Sequence, residues 1–172
     1  DPVKIKNIKS TMDMLVNTPQ VNDWTWIDAI QMGMPVLAQL GRLTGEQKYY
    51  DKMWRMYFCS RNEIGKGLFN KKEGLWWRDA NFVPPYKEPN GKNCFWSRGN
   101  GWVYAALVRV LGEIPADEVH RVDYINDFLA MSKALKACQR ADGFENCFSS
   151  FSINALISTG PNISQQACTL EE

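Results

Sequence analysis

Three consecutive stretches repeat apolar residues at helical spacing with only short turn signals between them, and this pattern restricts the chain to helices packed on helices. Ile5, Ile8, Met12 and Leu15 mark the first, which Asp1-Pro2 opens and Asn17-Thr18-Pro19 closes. The second begins near Thr25 and runs through Val36, Leu37, Leu40 and Leu43, with Pro35 placed to kink it or to start a second segment. Thr44-Gly45-Glu46-Gln47 has capping-box spacing and opens the third, with Tyr50, Met53, Trp54 and Tyr57 inward. Helix returns near Trp96, backed by Trp102, Ala105, Ala106, Val108 and Leu111. Ile114-Pro115-Ala116-Asp117 opens a further helix carrying Val122, Ile125, Phe128, Leu129 and Leu135, which a glycine stop at Asp142-Gly143 ends. Between the two groups, Gly67-Leu68-Phe69 and Gly74-Leu75-Trp76-Trp77 predict a small β-hairpin. Pro84-Pro85 and Pro89-Asn90-Gly91 then mark a long loop, whose Phe82, Tyr86 and Phe95 favour an ordered lid. The expected fold class is all-α, with the hairpin and loop near 65–95. Glycine-aromatic turns after two helix pairs, at 67–69 and 142–144, point to a toroid or solenoid of helical hairpins.

A chain of 172 residues supports one domain with a real core. Twenty basic against 19 acidic residues leave a net charge of +1, so no long-range field would draw it to nucleic acid or an anionic membrane. The apolar run 103–108 is far short of the ~20 residues a bilayer requires, and the chain reads as soluble. Cys59, Cys94, Cys138, Cys147 and Cys168 contain no Cys-x-x-Cys pair, which favours free thiols over a zinc site or a disulfide framework. His120 has no second histidine with which to share a metal or complete a nucleophile triad, and reads as a surface residue. Seven tryptophans and six tyrosines exceed what a small core requires. A cleft that binds carbohydrate or other rings would account for them.

The stretch Asp23-Trp24-Thr25-Trp26-Ile27-Asp28-Ala29-Ile30-Gln31-Met32-Gly33-Met34-Pro35 sets a carboxylate between indoles and an apolar helix. Trp24, Asp28, Gln31 and Met32 fall on one helical face. Two readings of Asp28 stand side by side. Thr25 and Asp28 have the spacing of a capping box, which would make the acid structural. Otherwise Asp28 is the acid of a ring-binding site. Desolvation beside the tryptophans would raise its pKa and a place in the first helical turn would lower it, and the order of residues alone does not decide between them.

This stretch, together with Trp96-Ser97-Arg98-Gly99-Asn100-Gly101-Trp102, resembles glycoside hydrolase family 105, the unsaturated rhamnogalacturonyl hydrolases, and more distantly family 88, the unsaturated glucuronyl hydrolases. The resemblance runs from about residue 1 to 144, and residues 145–172 form an atypical tail without assignment. It implies an (α/α)6 barrel of six helical hairpins, of which this chain supplies about half as a fragment. It implies no metal and no organic cofactor, an unsaturated oligosaccharide as substrate, and a bacterial cytoplasmic or periplasmic setting. Asp28 would be the general acid and base, protonating C4 of a terminal 4,5-unsaturated uronic acid and then helping water add at C5. The hemiketal opens and the aglycone leaves, as in the breakdown of pectin or glycosaminoglycan fragments. Arg98 would grip the substrate carboxylate, Trp24, Trp26, Trp96 and Trp102 would provide aromatic surface, Met32 a soft wall and Asn100 a hydroxyl contact. Where family members carry a histidine near the glycine-aromatic segment, Trp76-Trp77-Arg78-Asp79 stands here, so either Arg78 or Asp79 takes that role or no residue does, and the family's second aspartate, upstream of the first helix, is missing from this sequence. An incomplete toroid leaves apolar helix faces uncovered, which predicts association between copies. A carbohydrate-binding module without catalysis, or a helical scaffold with its aromatics in the core, are the alternatives.

Overall fold

The computed structural model describes residues 2–139 and 141, so the tail and the glycine stop expected at 142–143 lie outside the described residues. Five α-helices and one β-hairpin make up the described fold. Helix α1 (Pro2–Asn17) ends where the Thr18 hydroxyl and amide both donate to the Leu15 carbonyl, at 2.8 and 3.2 Å. Lys52, almost fully buried, then donates to the Thr18 carbonyl at 2.8 Å and to the Gln20 carbonyl, tying the connection after α1 to the next hairpin.

Helix α2 (Asp28–Thr44) runs unbroken through Pro35, so the second-segment alternative is not adopted. Proline has no N–H, and the carbonyl it leaves without a helical donor is that of Gln31, four residues back. The helix stops at Gly45, whose φ of +70° is left-handed and whose amide caps Gly41 at 2.8 Å. Neither expected capping box forms. Ile27, not Thr25, flanks the start of α2 and gives no side-chain cap. Thr44 stays inside α2, bonding back to the Leu40 carbonyl and accepting from the Glu46 amide, while α3 (Gln47–Asn62) starts without a side-chain cap.

The hairpin forms as expected: β1 (Phe69–Asn70) pairs antiparallel with β2 (Leu75–Trp76), Phe69 opposite Trp76. Helix α4 (Ser97–Glu113) lies against α2, and α5 (Arg121–Cys138) against α4. Ile30, Met34 and Leu37 of α2 meet Tyr49, Met53, Met56 and Tyr57 of α3 and Val103, Ala106, Leu107 and Val110 of α4 in one core. The inward side of α4 is therefore turned from the expected one, with Trp102 and Val108 outward. Likewise α5 starts later than Pro115 and buries Tyr124, Asp127, Met131 and Leu135, leaving Val122 and Leu129 exposed. His120 is not a free surface residue: its ring stacks on Trp54 with centroids 4.0 Å apart. Cys59, Cys94 and Cys138 form no disulfide among the described residues.

Candidate active site

Three chain segments close around the first turn of α2, and the main chain does most of the holding. The Ile27 amide donates to the Arg78 carbonyl at 3.0 Å, and Trp26 forms an isolated antiparallel bridge with Asp79. Asn100, in the first turn of α4, accepts from the Trp76 amide at 2.8 Å and donates to the Trp76 and Trp96 carbonyls at 2.9 Å each. Its neighbour Gly99 lets the start of α4 press on Ile27 and Trp96, since a Cβ there would sit 2.7 Å from Ile27 Cδ1 and 2.5 Å from Trp96 Cε3. The residues just before Asp28 are thus bonded by backbone to residues 78 and 79, and the Asn100 side chain ties β2 to the first turn of α4.

Asp28 is the first residue of α2 and takes part in no cap. Its Oδ1 is buried and finds no hydrogen-bond donor among the described residues. Burial raises its pKa above the ordinary aspartate value, against the opposing pull first of Arg98 and then of Arg78. Of the two tendencies left open by the sequence, desolvation wins. Arg98, exposed at the start of α4, lays its guanidinium 4.4 Å over the Trp96 ring. Arg78 pairs with Asp79 at 3.0 Å and lies 4.9 Å over the Phe82 ring. Two guanidinium groups therefore lie in electrostatic range of one carboxyl.

The walls divide into accessible and buried. Trp26 is 49% exposed, Trp102 37% and Met32 65%. Met32 follows Asp28 by one turn on α2, and Trp102 follows Arg98 by one turn on α4, so each presents an apolar surface beside a charged group. Two expected contacts are corrected. Trp24 is only 6% exposed, because its ring lies under Gly33, where a Cβ would come within 2.7 Å of it; it is core and offers no face to a ligand. Asn100 is 0% exposed, with both amide hydrogens and its carbonyl oxygen taken by main chain, so it braces the site and makes no hydroxyl contact. Sequence reasoning gives Gln31 no binding role and names Arg78 only as an alternative to Asp79 in place of the family's histidine. Gln31 shares the helical face of Asp28, which was visible from its spacing, but the burial of its Oε1 was not. Arg78 reaches Asp28 only through the 26–79 bridge, a pairing across some fifty residues that no local pattern reveals.

Chemically, a carboxyl kept protonated to higher pH can deliver a proton, a guanidinium can hold a substrate carboxylate, and exposed indoles can lie along a sugar ring. The profile described as Glycosyl Hydrolase Family 88 matches residues 1–147. An unsaturated 3S-rhamnoglycuronyl hydrolase of Formosa agariphila is 40% identical over 125 residues, which is 70% of this chain and 32% of that protein. A solved family 88 glycosyl hydrolase from Bacteroides vulgatus is 34% identical and superposes with a TM-score of 0.80 over 86% of this chain and 41% of its own. At 24% identity, a family 105 glycoside hydrolase of C. acetobutylicum shares the fold, with a TM-score of 0.54 over 69% of this chain and 33% of that one. The described helices are thus part of the (α/α)6 fold, and the chain spans about one third of the length of the curated relative it matches.

Proposed function

The chain belongs to glycosyl hydrolase family 88, and from that premise we propose that it hydrates the 4,5 double bond of a terminal unsaturated uronic acid and so releases it from a rhamnose-containing oligosaccharide. The observation that carries this reading is the state of Asp28: a carboxyl at a helix start, one oxygen buried without a donor, its pKa raised by burial, with two arginines in range. Hydration of an enol ether requires one group that gives a proton and later takes one back, and a single carboxyl of intermediate acidity serves both steps. Hydrolysis by direct displacement at the anomeric carbon uses two flanking carboxyls instead.

In the proposed reaction, Asp28 protonates C4, and the positive charge is shared between C5 and the ring oxygen. Water adds at C5 and gives a proton to the Asp28 carboxylate. The resulting hemiketal opens and the leaving sugar departs. Arg98, stacked on Trp96, grips the uronate carboxylate, and Trp26, Trp102 and Met32 line the accessible side. The rhamnose on the leaving side is suggested by the relative's name and by the resemblance of the two motifs. Residues 1–144 are the unit to which this activity is assigned.

The test is the loss of ultraviolet absorbance of the conjugated double bond when the chain meets unsaturated uronyl disaccharides. Asp28→Asn, which keeps the shape and loses the acid, is expected to lower the rate by at least about a thousandfold while leaving the helical circular dichroism intact. Equal rates for the two forms would remove Asp28 from the reaction.

A further inference from the structure

Gln31 is a buried polar residue that the packing leaves incomplete. It is 7% exposed, and its Oε1, like Asp28 Oδ1, is buried and has no donor among the described residues. An acceptor in this condition costs stability, on the order of 1–3 kcal/mol for each such group. Trp76, Trp77 and Tyr124 also hold buried polar atoms without partners, but each of those can act as a donor, and the buried Glu113 Oε2 has the Arg42 guanidinium 2.5 Å away. Asp28 and Gln31 instead hold two buried oxygens three residues apart on α2, a spacing that makes their side chains neighbours on one helical face. A protein donor between them is lacking among the described residues. A molecule with two hydrogens on one oxygen satisfies both.

We propose that Gln31 orients the attacking water: its Oε1 accepts one O–H of the water whose other O–H faces the Asp28 carboxylate. This rests on the hydration reading above and specifies its second step. After C4 has taken the Asp28 proton, the water oxygen forms its bond to C5. One water proton passes to Asp28, restoring the acid. The other stays on oxygen as the new C5 hydroxyl, held by Gln31 throughout. The amide oxygen gains and loses no proton, so the step consumes one water and leaves the protein unchanged. The arrangement also gives a use to a buried glutamine where leucine would fill the space at lower cost. Pro35 fits the same picture, because the Gln31 carbonyl lacks its usual helical donor on this turn.

The test uses Gln31→Leu in the whole chain, with absorbance loss on an unsaturated uronyl disaccharide and thermal unfolding read in parallel. Removing the acceptor is expected to lower kcat about 10- to 100-fold with KM within about twofold, as for a misplaced reactant. The Tm is expected to hold or rise, because an unsatisfied buried group has been replaced by an apolar one. A glutamine that only supports the fold gives the reverse, a lower Tm with kcat retained, and that result overturns the inference. An unsubstituted chain without turnover, or one whose rate survives Asp28→Asn, overturns the hydration reading itself and the role of Gln31 with it. Asp28-dependent turnover that survives Gln31→Leu overturns only the latter.

Discussion

At the scale of the residue, the contest at Asp28 has a consequence for stability as well as for reactivity. Its folded pKa lies above the unfolded value because burial outweighs the two arginines. The folded chain therefore binds more protons than the unfolded one at pH values between the two, and this residue's contribution to stability is greatest below the ordinary aspartate pKa of about 3.9 and is lost as pH rises through the folded pKa. Asp28→Asn is accordingly expected to melt higher than the parent chain at pH 7, by a few degrees at most. The difference should vanish near pH 3.5. Melting curves at both pH values check it, and a gain that grows on acidification would contradict the sign. Asp28 was legible in the sequence as a candidate, from its place just after two tryptophans and from the motif around it. Trp24 and Asn100 were misjudged as contacts for a physical reason: spacing says which residues share a face, but not which neighbour lies over that face. The ring of Trp24 is claimed by Gly33, and the amide of Asn100 by the hairpin strand β2.

At the scale of the element, the site depends on how α2, β2 and α4 are fastened together. The hairpin is too short to hold itself, with two residues in each strand, and Asn100 joins one strand to the start of α4. Asn100→Ala is expected to leave the Trp76 amide and carbonyl without their partners in a buried setting, at a cost of roughly 2–4 kcal/mol. Urea unfolding would measure it. The activity should fall along with it, because Arg98 stands two residues from the lost brace. The helices themselves were readable, since three of the five follow apolar periodicity with turn residues between them. Their rotation was less so. In α4 both Trp102 and Val103 are apolar, and the packing of α4 against α2, not hydrophobicity, decides that Val103 goes inward. The failure of the capping box at Thr25 and Asp28 has a similar origin, because the start of α2 is set by the Ile27–Arg78 main-chain bond, made with a segment fifty residues away.

At the scale of the whole molecule, α5 is joined to α3 by polar as well as apolar contacts. Asp127, almost fully buried, receives two hydrogen bonds from Arg61 at 2.6 Å each and one from the Tyr57 hydroxyl at 2.8 Å. Asp127→Ala strands a largely buried guanidinium and is expected to cost about 3–5 kcal/mol, enough to loosen α5 in a chain of ordinary stability. Hydrogen exchange of α5 amides would report the change, and protection equal to that of the parent chain would show that the contact carries little. Tyr57 and Arg61 share a face of α3, but nothing in the sequence marks Asp127 as their partner, since it lies on α5, up to 70 residues away. The all-α class, the hairpin and the family were legible; this cross-tie and the bridge at 26–79 required the assembled chain. The brace at Asn100 has one more implication. Because the reach between acid and guanidinium is dictated by peptide groups, the exposed lining at positions 26, 32 and 102 is free to be exchanged without retuning it. New sugars can be admitted by repapering the walls while the frame of the doorway stays square.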